Sequence, residues 1–160
     1  MGTGHDYVVL VGIDGSEASQ RALEWAVSRA AEQGGLVRAI TVWRSDLPDA
    51  GLRCDGDPRQ GPKQQAVAAL TRVVNAVSCP VPVAGEVVEG RPAEVLQTAS
   101  RDADLLVLGS HGQTRLLRPV LGQVAAQCVQ NAHCPVVLVP VNGPATTARR
   151  PQSGLVSRSS

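Results

Sequence analysis

Residues Tyr7 to Ile13 read YVVLVGI, an unbroken apolar and largely β-branched run with no polar face. A strand that is apolar on both sides must be covered on both sides, which is the condition of a strand inside a parallel sheet flanked by helices. The run stops at Asp14-Gly15-Ser16. Ala18, Ala22, Trp25, Ala26 and Ala30 then recur at helical spacing, with Ser16 in N-cap position and Gly34-Gly35 as the stop. The alternation continues with a strand at Leu36–Trp43, a helix from about Lys63 to Val77 and a strand at Val83–Glu89. A helix opened by Pro92 runs to about Asp102, a strand at Leu105–Leu108 ends on Gly109, and a helix at Gly122–Asn131 precedes a strand at Val136–Val141. This order predicts one α/β domain over residues 1–142. Arg44–Pro62 collects Asp, Gly and Pro and reads as a long surface loop, while residues 143–160 are polar and basic without periodicity and read as a disordered tail.

Composition narrows the function classes. The chain has no Phe, one Tyr and two Trp, so its core is built from Val, Leu, Ala and Ile. Base-stacking platforms need aromatics, and a net charge of +1 gives no general attraction to phosphate backbones or membrane surfaces. No apolar run reaches membrane-spanning length, and Met1–Asp6 lacks the features of a signal peptide, so the expected location is the cytosol with neither nucleic acid nor membrane as partner. Cys54, Cys79, Cys128 and Cys134 show no C-x-x-C spacing; Cys128 is expected to face the core from a helix and Cys134 to lead into a strand. No metal-ligand spacing links His5, His111 and His133. The P-loop pattern and the G-x-S-x-G elbow are absent, and the one lysine is Lys63.

Charge and glycine point to one end of the domain. All 14 acidic residues lie at or before Asp104, so that stretch carries −4, whereas the remainder has five Arg and no acid. Two of those, Arg115 and Arg118, sit in the loop after the fourth strand, where an anion would be favoured; Arg115 is a candidate contact on charge alone. The same loop reads Gly109-Ser110-His111-Gly112, then nine residues, then Gly122-Gln123-Val124. Glycines there either make tight turns or let backbone N–H groups approach a phosphate at a helix start. Asp14, ending the first strand, either closes an Asx-type turn or accepts from a ribose hydroxyl or holds Mg²⁺.

Together Asp14-Gly15-Ser16, EGRPAEVL (Glu89–Leu96), ADLLVLGSHG (Ala103–Gly112), Gly122 nine residues on, and HCPVVLVPV (His133–Val141) resemble the universal stress protein family. The resemblance runs over residues 7 to 141 and implies an open five-stranded parallel sheet in the order 3-2-1-4-5 with helices on both faces. It implies a ligand crevice between the first and fourth strands, where the topology reverses. Gly109, Gly112 and Gly122 match the G-2x-G-9x-G marker of the members that hold ATP. By the same resemblance Gly12, Ile13 and Asp14 line the ribose side, and Val42 meets adenine through its backbone. Gly109, His111, Gly112, Gly122, Gln123 and Val124 then surround the phosphates. Gln123 stands where the family has Ser or Thr, and Ala125 is apolar where hydroxyl residues often occur; both departures fall at the phosphate end.

The expected function is that of a stress-response regulator that binds ATP, with Mg²⁺, and does not turn it over fast. The alternatives are a family member with a non-binding site that acts through protein contacts, and an ATP-cleaving enzyme of the pyrophosphatase-type α/β hydrolases. A homodimer is also expected. Val136 to Val141 would be a sheet edge carrying no charge and blunted by Pro140 alone, free to pair with its own copy unless the tail covers it.

Overall fold

Five parallel strands alternate with four α-helices in the computed structural model, which describes residues 6–44, 61–110, 123–140 and 146–148. In chain order they are β1 (Val8–Gly12), α1 (Glu17–Gln33), β2 (Leu36–Trp43), α2 (Pro62–Ala76), β3 (Val83–Glu89) and α3 (Pro92–Ala99). A 3₁₀ turn at Ser100–Asp102 leads to β4 (Leu105–Gly109), then α4 (Gln123–Asn131) and β5 (Val136–Val139), and a short β6 (Thr146–Ala148) closes the series. Local chemistry sets these limits. Ser16 caps α1 through its hydroxyl, which accepts from the Ser19 N–H at 3.1 Å. Gly34 ends the helix at φ +68°, a left-handed conformation that glycine adopts without strain. Pro92 occupies the first turn of α3, where its missing N–H costs nothing.

The strand order is β3-β2-β1-β4-β5-β6, with β1 through β5 all parallel, so the expected 3-2-1-4-5 sheet is present. Strand alternation sends two sets of side chains to two cores. Val9, Val11 and Ile13 join Val107, Val137 and Val139 under α1 and α2. Leu10, Leu106, Leu108, Val136 and Leu138 meet Leu96, Ala125 and Cys128 of α3 and α4. Both faces of β1, β4 and β5 are thereby covered, as these apolar strands require.

Two expectations are corrected at the far edge. Thr146–Ala148, inside the segment expected to lack structure, forms β6 and pairs antiparallel with β5, matching Val136 with Ala148 and Leu138 with Thr146. The outer side of β5 is therefore taken by the chain itself over Val136–Leu138 and is no free edge for a second copy. An antiparallel neighbour needs only a short reversal of the chain, and β-branched threonines suit a strand, so the nearest stretch of backbone closes the edge.

Candidate functional site

β1 lies between β2 and β4; the chain runs outward from β1 to β2 and β3 on one side, then crosses back past β1 to β4 and β5 on the other. The carboxyl ends of β1 and β4 therefore flank the point where the topology reverses, the usual place for a ligand in an open α/β sheet. Gly12, Ile13 and Asp14 stand at one lip and Gly109 and Ser110 at the other. Of the residues expected here, His111, Gly112, Arg115 and Gly122 lie outside the described residues. Gln123 is the exposed first residue of α4, and Val124 beside it is half-buried against the α3–α4 core.

Asp14 closes an Asx-type turn. Its Oδ1 accepts from the Ser16 N–H at 2.9 Å and from the Ser16 hydroxyl, while Gly15 between them has φ +84°. The carboxylate thus orients the cap of α1 and stays half-buried at the lip of the crevice. Of the two readings of Asp14, the turn is the one its hydrogen bonds show.

Gly109 and Gly12 are both closely packed, Gly109 against backbone and Gly12 against side-chain ends. A Cβ on Gly109 would come within 2.7 Å of the Ala18 Cβ and 2.8 Å of the Ala18 backbone carbon. α1 is therefore seated directly on the end of β4, and only glycine leaves room for it. A Cβ on Gly12 would meet the Leu108 and Leu96 side chains at 2.8 and 3.0 Å. These glycines bring α1 and α3 close to the strand ends, and so shape the crevice from behind.

Val42 offers a backbone contact. In a parallel ladder, successive residues turn their peptide groups to opposite neighbours. The Ile13 N–H donates to the Ile40 carbonyl at 2.9 Å, and the Gly90 N–H donates to the Trp43 carbonyl at 2.9 Å. Even-numbered residues of β2 therefore face β1 and odd-numbered ones face β3. Val42 is the next even residue after Ile40, and β1 has ended before reaching it. Its N–H and carbonyl point into the space beyond Ile13, a donor and an acceptor side by side.

Three features escaped the sequence. The Thr41 side chain is buried under α1 and α2, and its hydroxyl has no hydrogen-bond partner among the described residues. Arg72 of α2 reaches the β1–α1 turn, its Nη2 donating to the Gly15 carbonyl at 3.4 Å. Arg38 and Glu86 pair across β2 and β3 at 2.9 Å. No local pattern signals any of them, because each depends on strands and helices far apart in the chain.

Cys128 and Cys134 take the structural places expected of them, and Cys54 lies outside the described residues. Cys128 is fully buried in the α3–α4 core, and burial, with a smaller push from Cys134, raises its thiol to about 12. Burial, then the charge of Asp104, raises Cys134 to about 11. Thiols held neutral in this way are poor nucleophiles and poor metal ligands. Among the described residues no group of three or more His, Cys, Asp or Glu side chains is placed to hold a metal ion.

Residues 8–140 match the model of the universal stress protein family. Universal stress protein MJ0531 of Methanocaldococcus jannaschii is 36% identical over 137 residues, covering 82% of this chain and 80% of the relative. Universal stress protein Rv3134c of Mycobacterium tuberculosis is 36% identical over 146 residues, covering 88% of this chain and 52% of the relative. The chain spans about half the length of the Mycobacterium tuberculosis relatives it matches, 47% in the case of Rv2624c. Among solved structures, a universal stress protein in complex with cAMP superimposes with a TM-score of 0.65 at 23% identity, covering 87% of this chain and all of the other. A universal stress protein family protein from Arabidopsis thaliana, At3g01520 with AMP bound, has a TM-score of 0.62 at 25% identity, covering 86% of this chain and 93% of the other. The sheet order, the crevice at its reversal point and these matches agree: the chain belongs to the universal stress protein family.

Proposed function

We propose that this chain binds an adenine nucleotide, ATP with Mg²⁺, in the crevice between β1 and β4, and that it serves as a cytosolic regulator without fast turnover. The observation that carries the reading is the Val42 peptide. A parallel N–H and C=O aimed past the end of a strand matches the acceptor and amino donor on the Watson–Crick edge of adenine, and would discriminate against guanine. Asp14, fixed by its Asx turn, would accept from a ribose hydroxyl. The G-2x-G-9x-G spacing of Gly109, Gly112 and Gly122 and the start of α4 would receive the phosphates, with Arg115 adding charge. The ligands named for structural neighbours, AMP in the Arabidopsis thaliana protein and dAMP in one from Archaeoglobus fulgidus, are adenine nucleotides and support the same class. Binding rather than catalysis follows from what the site offers. Lys63, the one lysine, stands exposed in the first turn of α2, so the crevice has no lysine to neutralise a transferring phosphoryl group.

Calorimetric titration of nucleotide-stripped protein with ATP and AMP, each with and without Mg²⁺, tests the reading. Saturable heat with ATP, absent with GTP, and no phosphate release over hours is the expected outcome. No heat and no thermal shift at millimolar adenine nucleotide would leave the non-binding alternative, and rapid phosphate release would favour the enzyme.

A further inference from the structure

The peptide that joins Gly15 to Ser16 is held at both of its ends. Its N–H, on Ser16, donates to the Asp14 Oδ1 at 2.9 Å, and its carbonyl, on Gly15, accepts from the Arg72 Nη2 at 3.4 Å. A peptide is one rigid plane whose N–H and C=O point in opposite directions. The Asp14 carboxylate therefore lies on one side of this plane and the Arg72 guanidinium on the other. The backbone beside the plane is soft, because Gly15 has no side chain to restrain it at φ +84°. Turning the plane breaks both bonds together, so whatever fixes the carbonyl also fixes the group bonded to the N–H.

Arg72 is anchored for that task. Its side chain is exposed, but Leu70 and Val73 on the same stretch of α2 are buried in the core shared with α1, which sets this turn of the helix firmly over the sheet. The contact joins two elements 57 residues apart in the chain. A cation at the carbonyl also polarises the peptide and makes its N–H a better donor to the carboxylate. The guanidinium stays charged at any pH the fold tolerates and offers its donors in a fixed fork. One long hydrogen bond at the surface adds little to global stability, so its effect falls on the orientation of the turn.

We infer that Arg72 is a positioning residue of the nucleotide site: acting through the Gly15–Ser16 peptide, it holds the Asp14 carboxylate in the direction of a ribose hydroxyl. The inference rests on the adenine-nucleotide reading and adds to it a residue of α2 that acts on the sugar end without touching the ligand. A direct phosphate contact by the same guanidinium would act on a nucleotide whatever its sugar. The two roles are therefore separable by the sugar alone.

Calorimetry of nucleotide-stripped protein with ATP and with 2′,3′-dideoxy-ATP, each with Mg²⁺, tests this. Wild type should bind ATP more tightly than the dideoxy analogue. Arg72→Gln should weaken ATP by about threefold to tenfold, the scale of one oriented hydrogen bond, and leave the dideoxy analogue unchanged. Arg72→Lys, which can still donate to the Gly15 carbonyl, should recover most of the loss. The thermal midpoint without ligand should stay at the wild-type value in both variants. An equal loss for the two nucleotides, no loss for either, or a wild type that does not distinguish them overturns the inference while leaving adenine-nucleotide binding in place. A wild type that binds neither nucleotide overturns that reading, and this inference with it.

Discussion

Gly109 is the residue where two explanations compete most directly, and the contacts separate them. Because a Cβ there would meet the Ala18 backbone rather than a flexible side chain, Gly109→Ala should destabilise the fold by about 1–3 kcal/mol, read as a shift of the urea midpoint without ligand. Thr41→Val should do the opposite. It exchanges an unpartnered buried hydroxyl for a methyl of similar shape, and should raise stability by about 1 kcal/mol in the same assay. At the phosphate end, Gln123→Ser restores the small hydroxyl of the family pattern. If the longer amide crowds the phosphates, ATP should bind tighter by about 1 kcal/mol in calorimetry; weaker binding would make the amide a donor. Asp14 and Ser16 were legible as a turn and a cap because that chemistry is local. Gly109 was legible as important, but its contact with Ala18 was not, since Ala18 touches it only after α1 folds back over β4.

At the scale of elements, β2 and β3 match the sequence reading to the residue, and the other strand and helix limits shift by a few residues at most, except where α3 gives way at Ala99 to a 3₁₀ turn. Apolar runs bounded by Gly, Pro and Asp carry their own limits. β6 was illegible because three residues of threonine and alanine have no periodicity, and only the bare edge of β5 makes them a strand. The cap of α1 ties stability to the site. Ser16→Ala removes the acceptor for the Ser19 N–H and the hydroxyl held by Asp14, and should cost about 1 kcal/mol in thermal unfolding. It should also weaken nucleotide binding, because the Asp14 carboxylate loses a group that orients it.

Across the whole molecule, the buried thiols set an alkaline limit. A thiol whose folded pKa lies above its ordinary 9.0 stabilises the fold fully below that pH, and the contribution is lost as pH climbs toward the folded value, about 12 for Cys128 and about 11 for Cys134. Stability should therefore fall steadily above pH 9. Cys128→Ala, although less stable at neutral pH through its cavity, should show a shallower alkaline decline in urea titrations. The central position of β1 has a further consequence, in time. The Val8 N–H is bonded to the Asp104 carboxylate at 2.8 Å across 96 residues of chain, so β1, made before the other strands of this sheet, waits for a neighbour made much later. At about 5–20 residues per second, that delay is roughly 5–20 s. Throughout it the β4 side of β1 has no partner, an exposure of apolar strand that belongs to the growing chain and not to the finished fold.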